Sequence, residues 1–161
     1  MMERVDAILS HPVFLEKLGR TAGLERDRAF CRHGLDHFLD VARIAYMLHL
    51  EAGDNSEFRK ELIYAAALLH DIGRARQYED GTPHEEESAR IAAGILPGCG
   101  FDEAETALIL DAILSHRSGS VGERPGLAGL IYRADKLSRC CVLCNTKADC
   151  DSKNINAKLK V

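Results

Sequence analysis

The chain has 161 residues, 46% apolar and 29% charged, the composition of a globular protein large enough for one hydrophobic core. Its formal charge of −4 supplies no basic footprint, so no polymeric nucleic-acid partner is expected. No stretch approaches the roughly 18 consecutive apolar residues of a membrane span, and Met1-Met2-Glu3-Arg4 opens no apolar run of a signal peptide, so no membrane partner and a cytoplasmic location are expected.

Helical periods dominate and strand signals are scarce, which predicts an all-α fold. Residues 2 to 18 predict one or two short helices interrupted at His11-Pro12, since proline suits a first helical turn. From about Glu25 to Leu50 a long helix or helix pair is expected, because Leu35, Phe38, Leu39, Ala42, Ala45 and Tyr46 recur at three- and four-residue steps. Gly53-Asp54-Asn55 ends it, and Ser56 is the expected N-cap of the next helix. That helix is apolar all round over 62 to 69 and belongs at the centre. Asp80-Gly81-Thr82-Pro83 reads as a turn, with Thr82 capping a helix and Pro83 in its first position; Glu85, Glu86 and Glu87 favour the positive end of its dipole. Pro97-Gly98-Cys99-Gly100 stops that helix, and Asp102 to His116 forms another. Residues 118 to 122 form a loop, and the last clear helix runs from Leu127 to about Leu143. The expected division is a domain over 1–139, a cysteine-rich segment over 140–150 and a tail over 151–161.

Four fragments point to one metal site. His37 shares a helix face with Val41 and Ile44 at four- and seven-residue steps. The pair His70-Asp71 ends the apolar run from Leu62 to Leu69 and is followed by Ile72-Gly73. His116 ends a further helix, and Asp135 lies one turn after Ile131. Placing an imidazole and a carboxylate at the end of a buried helix is costly unless a partner receives them, and a divalent cation is such a partner. Singly, each fragment has a plainer reading: a lone histidine packs in the core, and Asp135 pairs with Arg133 or Arg139. Their accumulation in apolar helices is what points to a shared function. Imidazole and carboxylate ligands suit iron, manganese, zinc, cobalt or nickel, and the spacing does not choose among them.

The stretches His37-Phe38-Leu39-Asp40-Val41-Ala42, Leu68-Leu69-His70-Asp71-Ile72-Gly73-Arg74 and Ala134-Asp135-Lys136-Leu137 resemble, in that order, the HD superfamily of metal-dependent phosphohydrolases. The resemblance, with core motifs over 33–137, implies a compact helical bundle with the metal site between central helices. By the motif, His37, His70, Asp71 and Asp135 take the metal-ligand positions. His84 and His116 resemble the extra histidines of dinuclear members, in which Asp71 would bridge two ions; the other reading of His84 is a solvent-exposed residue beside three glutamates. The residue after the glycine is often Lys in this family and is Arg74 here, which keeps a cation for phosphate but alters its geometry. Asp71, Arg74 and Lys136 are the catalytic candidates. The implied activity is hydrolysis of a phosphoester or phosphoanhydride bond in a small phosphorylated molecule or nucleotide. The alternatives are a non-enzymatic metal- or nucleotide-sensing module and a di-iron, oxygen-dependent HD enzyme.

Cys141-x2-Cys144 has the spacing of a metal knuckle, and Cys150 follows after five residues. With Cys31 or His33 as a fourth ligand, these thiols are expected to form a second, structural zinc site or to hold an iron–sulfur cluster; reduced cytosolic thiols are the plainer reading. His33 also lies one turn before His37, on the same helix face; the first ligand could be slid to it, but by the resemblance His37 fits the family's following Val-Ala better.

Overall fold

The computed structural model describes residues 2–53, 60–142, 144–146, 148–150, 156 and 158, and the expected cap at Ser56 lies outside them. The chain opens with α1 (Glu3–Ser10) and α2 (Pro12–Leu24), broken at His11. There the backbone is extended and the imidazole accepts a hydrogen bond from Val13 N–H at 3.2 Å.

The long helix begins ten residues later than the periodicity suggests, as α3 (Leu35–Glu51). Glu25 is the reason. Its buried carboxylate accepts the backbone N–H of His33 at 2.6 Å as well as hydrogen bonds from the His33 ring and the Tyr78 hydroxyl. These bonds fold residues 26–34 into a loop, which Arg32 and Arg28 tighten by donating to the carbonyls of Arg26 and Cys31.

Next comes α4 (Lys60–Leu69), whose residues from Leu62 to Leu69 are buried except for Tyr64. A short helix that the sequence pattern does not announce follows, α5 (Arg74–Asp80). Then α6 (His84–Ile95) starts one residue later than expected. Thr82 does not cap it; the Thr82 N–H and hydroxyl both donate to Asp80 Oδ1, and Pro83 takes the N-cap position. After a 3-10 turn at Pro97–Cys99, α7 (Glu103–Ser115) opens with a capping box between Asp102 and Glu105. A second 3-10 turn at Gly119–Val121 precedes α8 (Leu127–Leu137). That helix stops short of Leu143, because Ser138 Oγ and Asn156 Nδ2 donate to its last carbonyls, those of Asp135 and Leu137.

No strand occurs among the described residues, so the all-α expectation is met. The apolar α4 is the central rod, packed on α3 and α7 and also touching α1, α6 and α8. In turn, α8 lies against both α3 and α7, and α6 against α7. This arrangement brings the start of α3, the end of α4, the start of α6, the end of α7 and the end of α8 together over fully buried Phe38, Leu69, Ile72, Ile113 and Ile131.

The turn out of α4 depends on a close approach. A Cβ at Gly73 would lie 2.5 Å from Ser88 N and 2.7 Å from His84 O, both backbone atoms of α6, and Gly73 N–H donates to Ser88 Oγ at 2.9 Å. Gly73→Ala should therefore push α6 outward and cost about 1–3 kcal/mol, as overpacking of a tight contact does. Urea unfolding measures it; an unchanged midpoint would show that α6 does not need this approach.

Candidate metal centre

Because α4 ends at Leu69, the chain reverses over residues 70–73, with Ile72 N–H bonded to Leu69 O and Arg74 N–H to Asp71 O. In a continuing helix His70 and Asp71 would point about 100° apart; the reversal turns both into one space. His37 enters it from the first turn of α3, His84 as the first residue of α6, His116 as the C-cap of α7 and Asp135 from the end of α8.

Two triads result. The ligating atoms of His37, His70 and Asp135 lie within 4.8 Å of one another, as do those of Asp71, His84 and His116. Asp71 joins the two. Its Oδ1 is 2.9 Å from His84 Nε2 and 3.5 Å from His116 Nε2. Its Oδ2 is 3.5 Å from His70 Nε2 and 3.9 Å from His37 Nε2. Asp135 Oδ1 completes the first triad, 3.4 Å from His37 Nε2 and 3.9 Å from His70 Nε2.

The imidazoles are held in the tautomer that ligation needs. His70 Nδ1–H donates to Ala67 O at 2.7 Å, His116 Nδ1–H to Ile113 O at 2.6 Å and His84 Nδ1–H to Gln77 Oε1 at 2.6 Å. An N–H committed to an acceptor on the far side leaves the Nε2 lone pair facing the centre. His37 follows the same pattern through Ser138 Oγ, which itself donates to Asp135 O. His70 Nε2 carries the test of fit: it is fully buried and, among the described residues, has no hydrogen-bond partner. A polar atom so placed, inside a set of nitrogen and carboxylate donors, suits a divalent metal ion.

The electrostatics agree. Burial, then Arg139, pushes His37 down to about 2, and burial pushes His70 down to about 4; burial also lowers His84. These rings are thus neutral at neutral pH, as ligands must be. Burial alone would raise both carboxylates. His70 and Arg74 outweigh it at Asp71, and Arg139, His70 and Lys136 at Asp135, holding both below the usual carboxylate range.

The structure brings together all six residues of the expected metal set, and His84 is buried rather than exposed. Arg74 is adjacent, one guanidinium nitrogen 2.9 Å from both Asp71 oxygens, and Lys136 Nζ lies 2.7 Å from Asp135 Oδ2. Asp135 pairs with Arg139 at 2.9 Å, whereas Arg133 turns away to Gly122 O. Arg139 also donates to His37 Nε2 at 3.1 Å, so its charge sits against the lone pair that an ion would take. His33 does not serve the cysteines. Its Nδ1–H is taken by Glu25 and its Nε2 stands 3.7 Å from Asp71 Oδ2, which makes it a fifth imidazole around the same carboxylate. Sequence reasoning did not single out Glu25; its only signal was an acidic residue eight positions before a histidine. Among the described residues, Cys141, Cys144, Cys150 and Cys31 are not drawn to a common point, although all four border the cavity above the centre.

A helical bundle that converges histidines and aspartates from five segments defines a metal-binding hydrolase-type scaffold. The HD domain family model matches residues 34–140, and the chain belongs to that family. An uncharacterized protein of Clostridium beijerinckii is 45% identical over 150 residues, 93% of this chain and 92% of its own. Ribonuclease Y of Enterococcus faecalis is 32% identical over 134 residues, 83% of this chain but 23% of its own. The crystal structure of a predicted HD superfamily hydrolase from an uncultured Thermotogales bacterium is similar with a TM-score of 0.58 and 28% identity, over 76% of this chain and 66% of that one. The chain thus spans less than a quarter of that ribonuclease Y and just under two thirds of the Thermotogales protein.

Two outcomes test the centre. Metal analysis of protein variants should show His70→Ala losing most bound metal with helical content kept, and His84→Ala losing only part of it; full metal content in both would remove these residues from the ligand set. The second outcome concerns pH. Unfolding returns His37 and His70 from about 2 and about 4 to 6.5, so between pH 6.5 and about 4 the unfolded chain binds protons that the native chain does not. His116 is shifted upward, Asp71 prevailing over burial, and offsets part of this. Chelator-treated protein should therefore lose stability as pH falls from 6.5 to 4; a flat urea midpoint over that window would contradict the buried, neutral histidines.

Proposed function

We propose that the chain is a metal-dependent phosphohydrolase that cleaves a phosphoester or phosphoanhydride bond in a small phosphorylated molecule or nucleotide. One observation carries the reading: two buried ligand triads joined by Asp71 adjoin a cationic cavity through His84, His116 and Asp135. The cavity holds about 510 Å³, and its lining includes His84, His116 and Asp135 from the centre together with Arg28, Arg74, Arg117, Lys136 and Arg139. That volume is in the range of small-molecule sites. So many cations around a site that gathers carboxylates suit an anionic substrate, which supplies the missing negative charge.

In this reading His37, His70 and Asp135 hold one divalent ion, His84 and His116 a second, and Asp71 serves both. Bound there, such ions lower the pKa of water and neutralise phosphoryl charge. The chain's own residues do the rest. Arg74 is positioned to exchange its contact with Asp71 for phosphate oxygens, because Gln77 Oε1 steadies its other nitrogen at 3.3 Å. Lys136 and Arg139 offer further cationic donors beside Asp135. Arg117 reaches Glu85 only at 3.4–3.5 Å from an exposed position, which leaves it able to turn toward substrate. His33 Nε2, aimed at Asp71 Oδ2 by the Glu25 clamp on Nδ1, orients a water or substrate oxygen there. Glu25 is ionised and so can hold that clamp, because His33 and Tyr78 overcome burial and bring it down to about 2.

A phosphate-release screen with iron, manganese, zinc, cobalt and nickel tests the proposal, with single-stranded RNA included because a protein named ribonuclease Y is 32% identical over 134 residues. Metal-dependent release from phosphomonoesters or nucleotides is expected, with RNA left intact. RNA cleavage would replace the substrate class. Metal binding without turnover would favour a sensing module, and oxygen consumption would favour di-iron oxidation. Within an active enzyme, Arg74→Ala should lower kcat/KM by about 10²-fold, as loss of a charge-stabilising donor does. Glu25→Gln should lower kcat while metal content stays at the wild-type level.

A further inference from the structure

Of the six cysteines, none is in a disulfide. Cys31, Cys141, Cys144 and Cys150 all line the cavity above the metal centre; Cys99 and Cys140 do not. Chemistry sorts them the same way. Cys141 and Cys144 have knuckle spacing, and their backbone is already turned for it: Cys144 N–H points to Cys141 O at 3.5 Å, and Cys141 N–H donates to Arg139 O at 3.1 Å. Cys31 comes from the loop that Glu25 folds before α3. The two segments touch, since the Thr146 hydroxyl donates to Ala29 O at 3.4 Å and lies 3.3 Å from Cys144 Sγ.

Hydrophobic burial does not account for this contact. None of the described residues from 140 to 150 is buried, and none lies in a helix or strand. A segment whose described residues supply no buried apolar anchor, carrying three cysteines against a fourth, has the composition of a metal-fastened knuckle. We propose that Cys31, Cys141, Cys144 and Cys150 form a tetrathiolate site for one thiophilic divalent ion, zinc, which clamps the 140–150 segment to the 26–34 loop and completes a wall of the cavity. Among the described residues only the two His/Asp triads already have their donor atoms within 4.8 Å of one another, so the four sulfurs draw together on binding. Four thiolates around Zn²⁺ leave a net negative charge, and Arg28 and Arg139, on the same cavity wall, offset it. His33 is not needed, its ring being committed to Glu25 and Asp71.

The test uses the full chain with His70→Ala and Asp71→Ala, which empties the HD centre without touching a cysteine. Zinc added to this protein should bind at one ion per chain, with X-ray absorption fine structure showing sulfur at about 2.3 Å. Cobalt in its place should give a strong thiolate charge-transfer band. Adding Cys144→Ser should abolish that band and the bound zinc, whereas adding Cys99→Ser or Cys140→Ser should leave both. No bound zinc in the parent variant, zinc held by nitrogen and oxygen alone, or acid-labile sulfide in the purified wild-type protein would each overturn the proposal. If Cys144→Ser fails to fold, the absence of a thiolate–cobalt band in the folded parent is equally decisive.

Discussion

A carboxylate with 1% of its surface exposed, that of Asp71, is the constraint on which the rest of the structure depends. An ion so far from water costs several kcal/mol unless its charge is met by close partners. The fold sets the Arg74 guanidinium against it at 2.9 Å and gathers around it the Nε2 atoms of His33, His37, His70, His84 and His116, an arrangement in which a bound divalent cation would meet the rest of its charge. The partners come from several separate stretches of the chain, and each stretch imposes a demand on packing. The apolar α4 must reach the middle of the bundle to deliver Asp71, the chain must reverse at Gly73, and α6 must approach that glycine closely enough to bring His84 within reach. Stability and chemistry are thereby tied: the cation that would make the buried charge fully tolerable is the one that the surrounding imidazoles would hold.

Much of this was legible in the sequence, for a physical reason. Polar residues interrupting apolar helical periods stand out, and His37, His70, Asp71, His116 and Asp135 all do so. The central position of α4 follows from an all-round apolar stretch in the same way. What escaped was set by pairing across the fold. Glu25 and His33 sit in a loop whose shape comes from a carboxylate accepting three hydrogen bonds, whereas the period from Leu35 to Tyr46 carries no mark of where its helix begins. The α5 sequence, Arg-Ala-Arg-Gln-Tyr-Glu-Asp, carries too little apolar surface to announce a helix. At the other end, the last helix is expected to run to about Leu143, while the structure stops it by satisfying the carbonyls of Asp135 and Leu137 from side chains.

The likeness to ribonuclease Y of Enterococcus faecalis covers 83% of this chain but 23% of that protein, so it extends to one portion of that enzyme rather than the whole. The cationic cavity rests largely on the loop before α3, the region around His116 and Arg117, and the residues after α8. These are the least regular parts of the described chain. Sites of one family commonly differ in such segments, because the helices are fixed by the buried charge and the loops are not.

The central claim is that Asp71 stands between two metal positions. Anomalous diffraction from crystals of the wild-type protein grown with manganese tests it most directly. The account predicts two peaks about 3.5–4 Å apart, one among His37, His70 and Asp135 and one beside His84 and His116, with the Asp71 carboxylate between them. A single peak, or two peaks that leave Asp71 bonded only to Arg74, would contradict it.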